Sequence, residues 1–140
     1  MPPKKRPRRV WARASPRPVH PKIPDALKRR VQAEGDRLVA ETLRPRYVKP
    51  PPTDNDFNYV TDLLTKWHQG WFYFRAIYAC PSPNAISPTF EMRFARLEYA
   101  GGERFNLAFM RYTGEWITIY HDVELDEALA GVRDDAYFTM

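Results

Sequence analysis

The stretch Phe90–Tyr120, FEMRFARLEYAGGERFNLAFMRYTGEWITIY, decides the fold. Phe90, Met92 and Phe94 alternate with Glu91 and Arg93, the period-two pattern of a strand with one apolar and one polar face. The apolar positions then pass to Leu97 and Tyr99, which predicts a bulge near Ala95-Arg96. Gly101-Gly102 reads as a hairpin turn. Phe105, Leu107 and Phe109 form one face of the next strand, and Thr113-Gly114 turns the chain into Trp116–Tyr120.

Working toward the N-terminus, Trp71–Ala79 (WFYFRAIYA) is dense in residues that favour a sheet, and His68-Gln69-Gly70 reads as the turn leading into it. Cys80–Pro88 (CPSPNAISP) reads as an irregular loop, because three prolines interrupt any ladder. Residues 57–67 fit two patterns. Val60, Leu63, Leu64 and Trp67 suit a short helix, whereas Phe57, Tyr59, Leu63 and Trp67 share one face of a strand; the strand is the preferred reading.

Helices are expected at both ends. The first begins near Pro24, with Asp25 at its positive end, and stops before Pro45. Its apolar stripe is Leu27, Val31, Leu38 and Thr42, with Leu43 at the edge, and Gly35 on the stripe invites close approach by another element. Pro50, Pro51 and Pro52 then form a stiff connector. The last helix spans Leu125–Val132, with Leu125, Ala128, Leu129 and Val132 on one side and Asp126 and Glu127 in its first turn. Tyr137 and Phe138 are expected to pack back on the domain. The fold class is therefore α+β: an antiparallel meander of four to five strands packed against an N-terminal and a C-terminal helix.

Charge divides the chain in two. Residues 1–22 carry Lys4, Lys5, Arg6, Arg8, Arg9, Arg13, Arg17 and Lys22 with no acid. A head of +8 thus precedes a body of −3, within an overall charge of +5 and a pI near 9.5. Prolines at 2, 3, 7, 16, 18 and 21 and the lack of apolar surface predict a disordered arm over 1–22, ahead of one globular domain over 23–140. Sixteen of the twenty aromatic residues lie between Phe57 and Tyr120, which concentrates the core there.

Cys80 is the single cysteine, so no internal disulfide forms and nothing supports secretion. No apolar run approaches the roughly 20 residues needed to cross a bilayer, and Val10, Trp11 and Ala12 make no signal-peptide core. A cytoplasmic protein with no membrane partner is expected.

The arm holds the most visible binding chemistry. Arginine offers a planar fork to phosphate, each neutralised phosphate releases counterions, and Trp11 could stack on a base. Lys4, Lys5, Arg6, Arg8, Arg9, Trp11, Arg13, Arg17 and Lys22 are thus the candidate contacts to nucleic acid or another polyanion; the run also resembles a nuclear import signal, and a solubilising tail is the plainer alternative. Arg93, Arg96, Glu98 and Arg111, with Glu91 and Asp62, recur within the strands. They form a candidate site on the sheet's second face, or else ordinary cross-strand ion pairs. Cys80 needs a base to act as a nucleophile, and His68 comes close only if its turn folds back; a small buried thiol is the simpler reading. His20, His68 and His121 are too scattered for a metal site, no glycine-rich phosphate loop is present, and no cofactor is expected.

Trp67, Trp71, Tyr73, Trp116 and Tyr120 exceed what one small core needs, which suggests a ligand surface or a homodimer interface. The phrases FNYVTDLL (57–64), CPSPNAISPTFEMRFARLEY (80–99), RFNLAFMRYTGEW (104–116) and LDEAL (125–129) resemble small uncharacterised prokaryotic proteins of domain-of-unknown-function type. The resemblance implies a self-contained globular domain and brings no activity. The functional expectation is a non-enzymatic binding module whose arm contacts a polyanion. The alternatives are a homo-oligomeric scaffold and a small-ligand protein or enzyme using the open sheet face.

Overall fold

A computed structural model describes residues 21–53 and 57–140. The order is α1 (Asp25–Leu38), a π turn (Val39–Leu43), α2 (Arg44–Tyr47), then strands β1 (Tyr59–His68), β2 (Trp71–Ala79), β3 (Thr89–Gly101), β4 (Arg104–Met110) and β5 (Trp116–Glu124). Helix α3 (Leu125–Asp134) and a 3-10 turn (Ala136–Phe138) close the chain. The five strands form one sheet in the order β1-β2-β3-β4-β5, with every neighbouring pair antiparallel. This is the expected α+β meander. Among the described residues no helix is long and apolar enough to cross a membrane.

The helices cover one face of the sheet. Phe72, Phe74, Ala76, Ala95, Leu97, Phe105 and Leu107 point into that layer and meet Leu27, Val31, Val39 and Leu43 from the N-terminal helix and Leu125, Ala128 and Val132 from α3. Residues 27, 31, 35, 39 and 43 are each four apart, a spacing that drifts about 40° per step on ordinary α winding. The wider π turn over Val39–Leu43 winds this drift back and keeps both of those residues buried. Val39 therefore takes the inward place expected of Leu38, which is only partly buried.

The π turn also corrects the expected end of this helix. The chain does not stop before Pro45 but carries it in the first turn of α2, where a missing backbone N–H costs little. Continuation is worthwhile because Arg44 then reaches β1, bonding Asp62 Oδ1 through Nε at 2.9 Å and the Leu63 carbonyl at 3.0 Å.

Residues 59–68 are a strand, as preferred, but the shared face differs from expectation. A register shift between Val60 and Asp62 makes Thr61 the extra residue. Val60 turns inward, Tyr59 pairs with Ala79, and Phe57 lies outside the strand with 67% of its surface exposed. Leu63 and Trp67 do face inward, opposite Ala76 and Phe72. In β3 the extra residue is Phe94, just before the predicted position: Phe74 pairs with Ala95 but Arg75 pairs with Arg93. Phe94 and Ala95 are consequently both buried.

The stripe position Gly35 performs the expected close approach. A methyl group there would lie 2.6 Å from Cε2 and 2.7 Å from Cζ of Phe72. That ring is fully buried and wedged against Trp67 at 5.1 Å and Phe74 at 5.4 Å between centroids, so it has nowhere to move. Gly35→Ala should therefore lower stability by about 1–3 kcal/mol through overpacking, against the gain of up to about 1 kcal/mol that helix propensity alone would give. Urea unfolding checks the sign; a stabilised variant contradicts the close packing.

The tail packs back as expected. Phe138 is buried, while Tyr137 stays largely exposed and lays its ring on Phe109 at 4.5 Å. Asp135 anchors this turn: its side chain accepts from the Tyr137 N–H and from the Tyr120 hydroxyl at 3.0 Å. The bond to Asp135 and partial burial raise the Tyr120 pKa above its ordinary 10.0, and burial raises Tyr78 likewise. A raised tyrosine pKa contributes stability that is complete below the ordinary value and lost as pH climbs through the folded one. Tyr120→Phe should cost about 1 kcal/mol at neutral pH and show a shallower loss of stability above about pH 10. Denaturant midpoints measured across that range test this, and an unchanged slope would argue against the bond.

Candidate functional site

The face of the sheet opposite the described helices is not a plain mixed-charge surface. Cross-strand register places Asp62, Leu64, Lys66 and His68 of β1, Trp71, Tyr73, Arg75 and Ile77 of β2, and Glu91, Arg93, Arg96 and Glu98 of β3 on this side. Arg93 and Arg96 are three residues apart and would face opposite ways on a regular strand. The extra residue Phe94 between them brings both to the same face.

Each of these arginines lies against aromatic rings. The Arg96 guanidinium sits 3.7 Å from the Trp71 ring centroid and 4.5 Å from that of Trp116, one indole from β2 and the other from β5. To reach Trp116 it spans β4 at Ala108, its register partner, whose small side chain leaves room. Arg93 lies 4.5 Å from the Tyr73 ring, and Tyr73 in turn packs 5.8 Å from Trp116. Tyr73 is only 5% exposed although it stands on the face opposite the described helices. A second, smaller layer of rings and guanidinium groups therefore closes the middle of this surface, with contacts worth about 0.5–2 kcal/mol each.

The charges here are unevenly matched. Arg75 bonds Glu91 at 2.8 Å, Arg44 bonds Asp62, and Arg111 meets Glu115 at 3.7 Å. Among the described residues no carboxylate lies within ion-pair distance of Arg93 or Arg96. Arg75 stands directly opposite Arg93, a like-charge pair that disfavours the sheet. The Nε atoms of Arg75 and Arg96 are buried without a hydrogen-bond partner among the described residues. Glu98 accepts from Asn106 Nδ2 at 3.0 Å.

The expected sheet-face set is thus partly gathered. Arg93, Arg96 and Glu98 share the face, whereas Arg111 belongs to the turn after β4, beside Tyr112 and Glu115. Asp62 and Glu91 are each engaged by their own arginine, as cross-strand or inter-element ion pairs. Cys80 and His68 lie at opposite ends of β2, roughly 25–30 Å apart along a strand of this length, so that nucleophile–base pairing fails. Among the described residues there is no group of three or more His, Cys, Asp and Glu able to hold a metal ion. Arg75 was not singled out from sequence; its signal was a lone charge inside the aromatic run WFYFRAIYA.

Of the candidate arm contacts, Lys4, Lys5, Arg6, Arg8, Arg9, Trp11, Arg13 and Arg17 lie outside the described residues. Lys22 is exposed and, with Pro21 and Lys28, lines a cleft of about 360 Å³ whose far wall is Trp71, Glu98 and Tyr99. The arm therefore joins the domain at the rim of the aromatic–guanidinium layer, one ring away from Arg96.

A family model described as a domain of unknown function, DUF3024, matches residues 23–139. The chain belongs to the DUF3024 family. The matched span includes Trp71, Tyr73, Arg75, Arg93, Arg96 and Trp116 and begins after Lys22, so the sheet face falls within the DUF3024 domain and the cationic arm precedes it. No curated protein and no solved structure matches the chain.

Proposed function

We propose that this DUF3024 protein is a non-enzymatic binding module whose basic arm engages nucleic acid or another polyanion. The observation that supports this most directly is where the arm is rooted. Eight positive charges in the first 22 residues lead into Pro21 and Lys22, beside a sheet face with two arginines that no described carboxylate neutralises. The arm is a cationic tract in sequence, attached to a domain that is otherwise mildly acidic. Such a tract takes its affinity from counterion release, so binding falls steeply with salt. The resemblance to prokaryotic proteins and the single free thiol favour a cytoplasmic setting, where nucleic acid is the abundant polyanion.

Removing residues 1–20 should abolish retention on heparin or single-stranded DNA at moderate salt while leaving the thermal midpoint within a few degrees. A gel-shift series over salt concentration reads this, and retention that persists without the arm refutes the reading.

A second copy of the chain is the other partner with specific support. Pairing between β3 and β4 begins at Ala95, so residues 89–93 of β3 are bonded to β2 alone. Phe90 and Met92 on this half-open edge are 41% and 36% exposed, close to a fully exposed Ile86. An edge with apolar side chains is a template for strand pairing. This reading expects a dimeric mass by sedimentation at tens of micromolar, and a strict monomer at high concentration removes it.

A further inference from the structure

We infer that the sheet face opposite the described helices is itself a phosphate-binding surface, on which Arg93 and Arg96 hold successive phosphates of one nucleic-acid strand. This rests on the polyanion reading and gives the folded domain a part that the arm alone does not have.

Stacking prepares both guanidinium groups for the role. Rings lie against both guanidinium groups and restrict their rotamers; the Arg96 Nε is buried, which leaves its terminal N–H groups, with the N–H edges of Arg93, to meet phosphate. Arg30, Arg44, Arg75, Arg111 and Arg133 each have a carboxylate within ion-pair distance; Arg93 and Arg96 have none among the described residues. Nor do Arg29, Arg37, Arg46 and Arg104, but those four are exposed whereas Arg93 and Arg96 are half-buried. The fold bears a cost here, with Arg75 and Arg93 directly opposed and the Arg96 Nε buried without a hydrogen-bond partner among the described residues. An anion laid across Arg93 and Arg96 offsets that repulsion.

Geometry and connectivity select a polymeric phosphate. With Phe94 bulged out of register, Arg93 and Arg96 occupy neighbouring same-face positions, roughly 7 Å apart along β3. That separation is comparable to the step between adjacent phosphates of one strand. The arm is rooted at the same rim, and twenty extended residues reach roughly 60 Å, so arm and face can grip one strand together.

The test uses the full chain and a fluorescent twenty-nucleotide oligothymidylate, with affinity measured by polarisation across a salt series. Arg93→Gln should weaken binding about tenfold and lower the salt slope by about one. Arg93→Gln combined with Arg96→Gln should lower the slope by about two. Arg93→Lys, which keeps the charge and loses the fork, should preserve the slope while losing part of the affinity. Circular dichroism and thermal unfolding accompany each variant; Arg93 lies over the Tyr73 ring, so its substitutions leave the Arg96 contacts with Trp71 and Trp116 in place. If the wild type binds and Arg93→Gln matches it in affinity and slope, this inference falls while the arm reading survives. If the wild type does not bind at all, both fall. Inorganic phosphate should compete only weakly; competition equal to the oligonucleotide's per phosphate would overturn the assignment to a strand.

Discussion

One extra residue in β3 governs how this domain divides its side chains. Phe94 has no partner across β2, so the inward set switches from the even-numbered Met92 and Phe94 to the odd-numbered Ala95 and Leu97. The helix-covered layer gains a buried ring, and the opposite face gains two arginines that regular alternation would have separated. Without that slip, either Arg93 or Arg96 would be driven into a core that has no carboxylate to receive it, at a cost of several kcal/mol. The core and the candidate binding face are therefore consequences of the same irregularity.

The aromatic surplus noted in the sequence is resolved by the same division. Trp67 and Tyr120 serve the helix-covered side, against Phe72 and Asp135 respectively. Trp71, Tyr73 and Trp116 serve the other side and are used on arginine rather than on one another alone. Burial of Tyr73 and most of Arg75 on the face opposite the described helices shows that both layers are packed, although only one is apolar.

Much of the fold was legible because its signals are local. Alternation across Phe90–Tyr120, the turns at Gly101-Gly102 and Thr113-Gly114, and the i, i+3, i+4, i+7 pattern of Leu125–Val132 need no knowledge of distant partners. What was misplaced depends on tertiary contact. Passage through Pro45 follows from Arg44 finding Asp62 and the Leu63 carbonyl, and the inward turn of Val60 follows from the slip at Thr61. The candidate face was half legible. Arg93, Arg96 and Glu98 stood out by composition, but their company could not: Arg96 meets Trp71 twenty-five residues before it and Trp116 twenty after it in sequence. Register alone also separates Cys80 from His68, which spacing in the chain left open.

The proposed function draws on two cationic features, the basic residues ahead of the DUF3024 match and the ring-packed arginines within it. The dependence of both layers on the slip at Phe94 is open to direct measurement by nuclear Overhauser contacts between β2 and β3 in solution. Backbone proton contacts should link Arg75 with Arg93 and Phe74 with Ala95, leaving Phe94 without a cross-strand partner. Unbroken pairing, with Arg75 opposite Phe94, would place Arg93 and Arg96 on opposite faces and contradict this architecture.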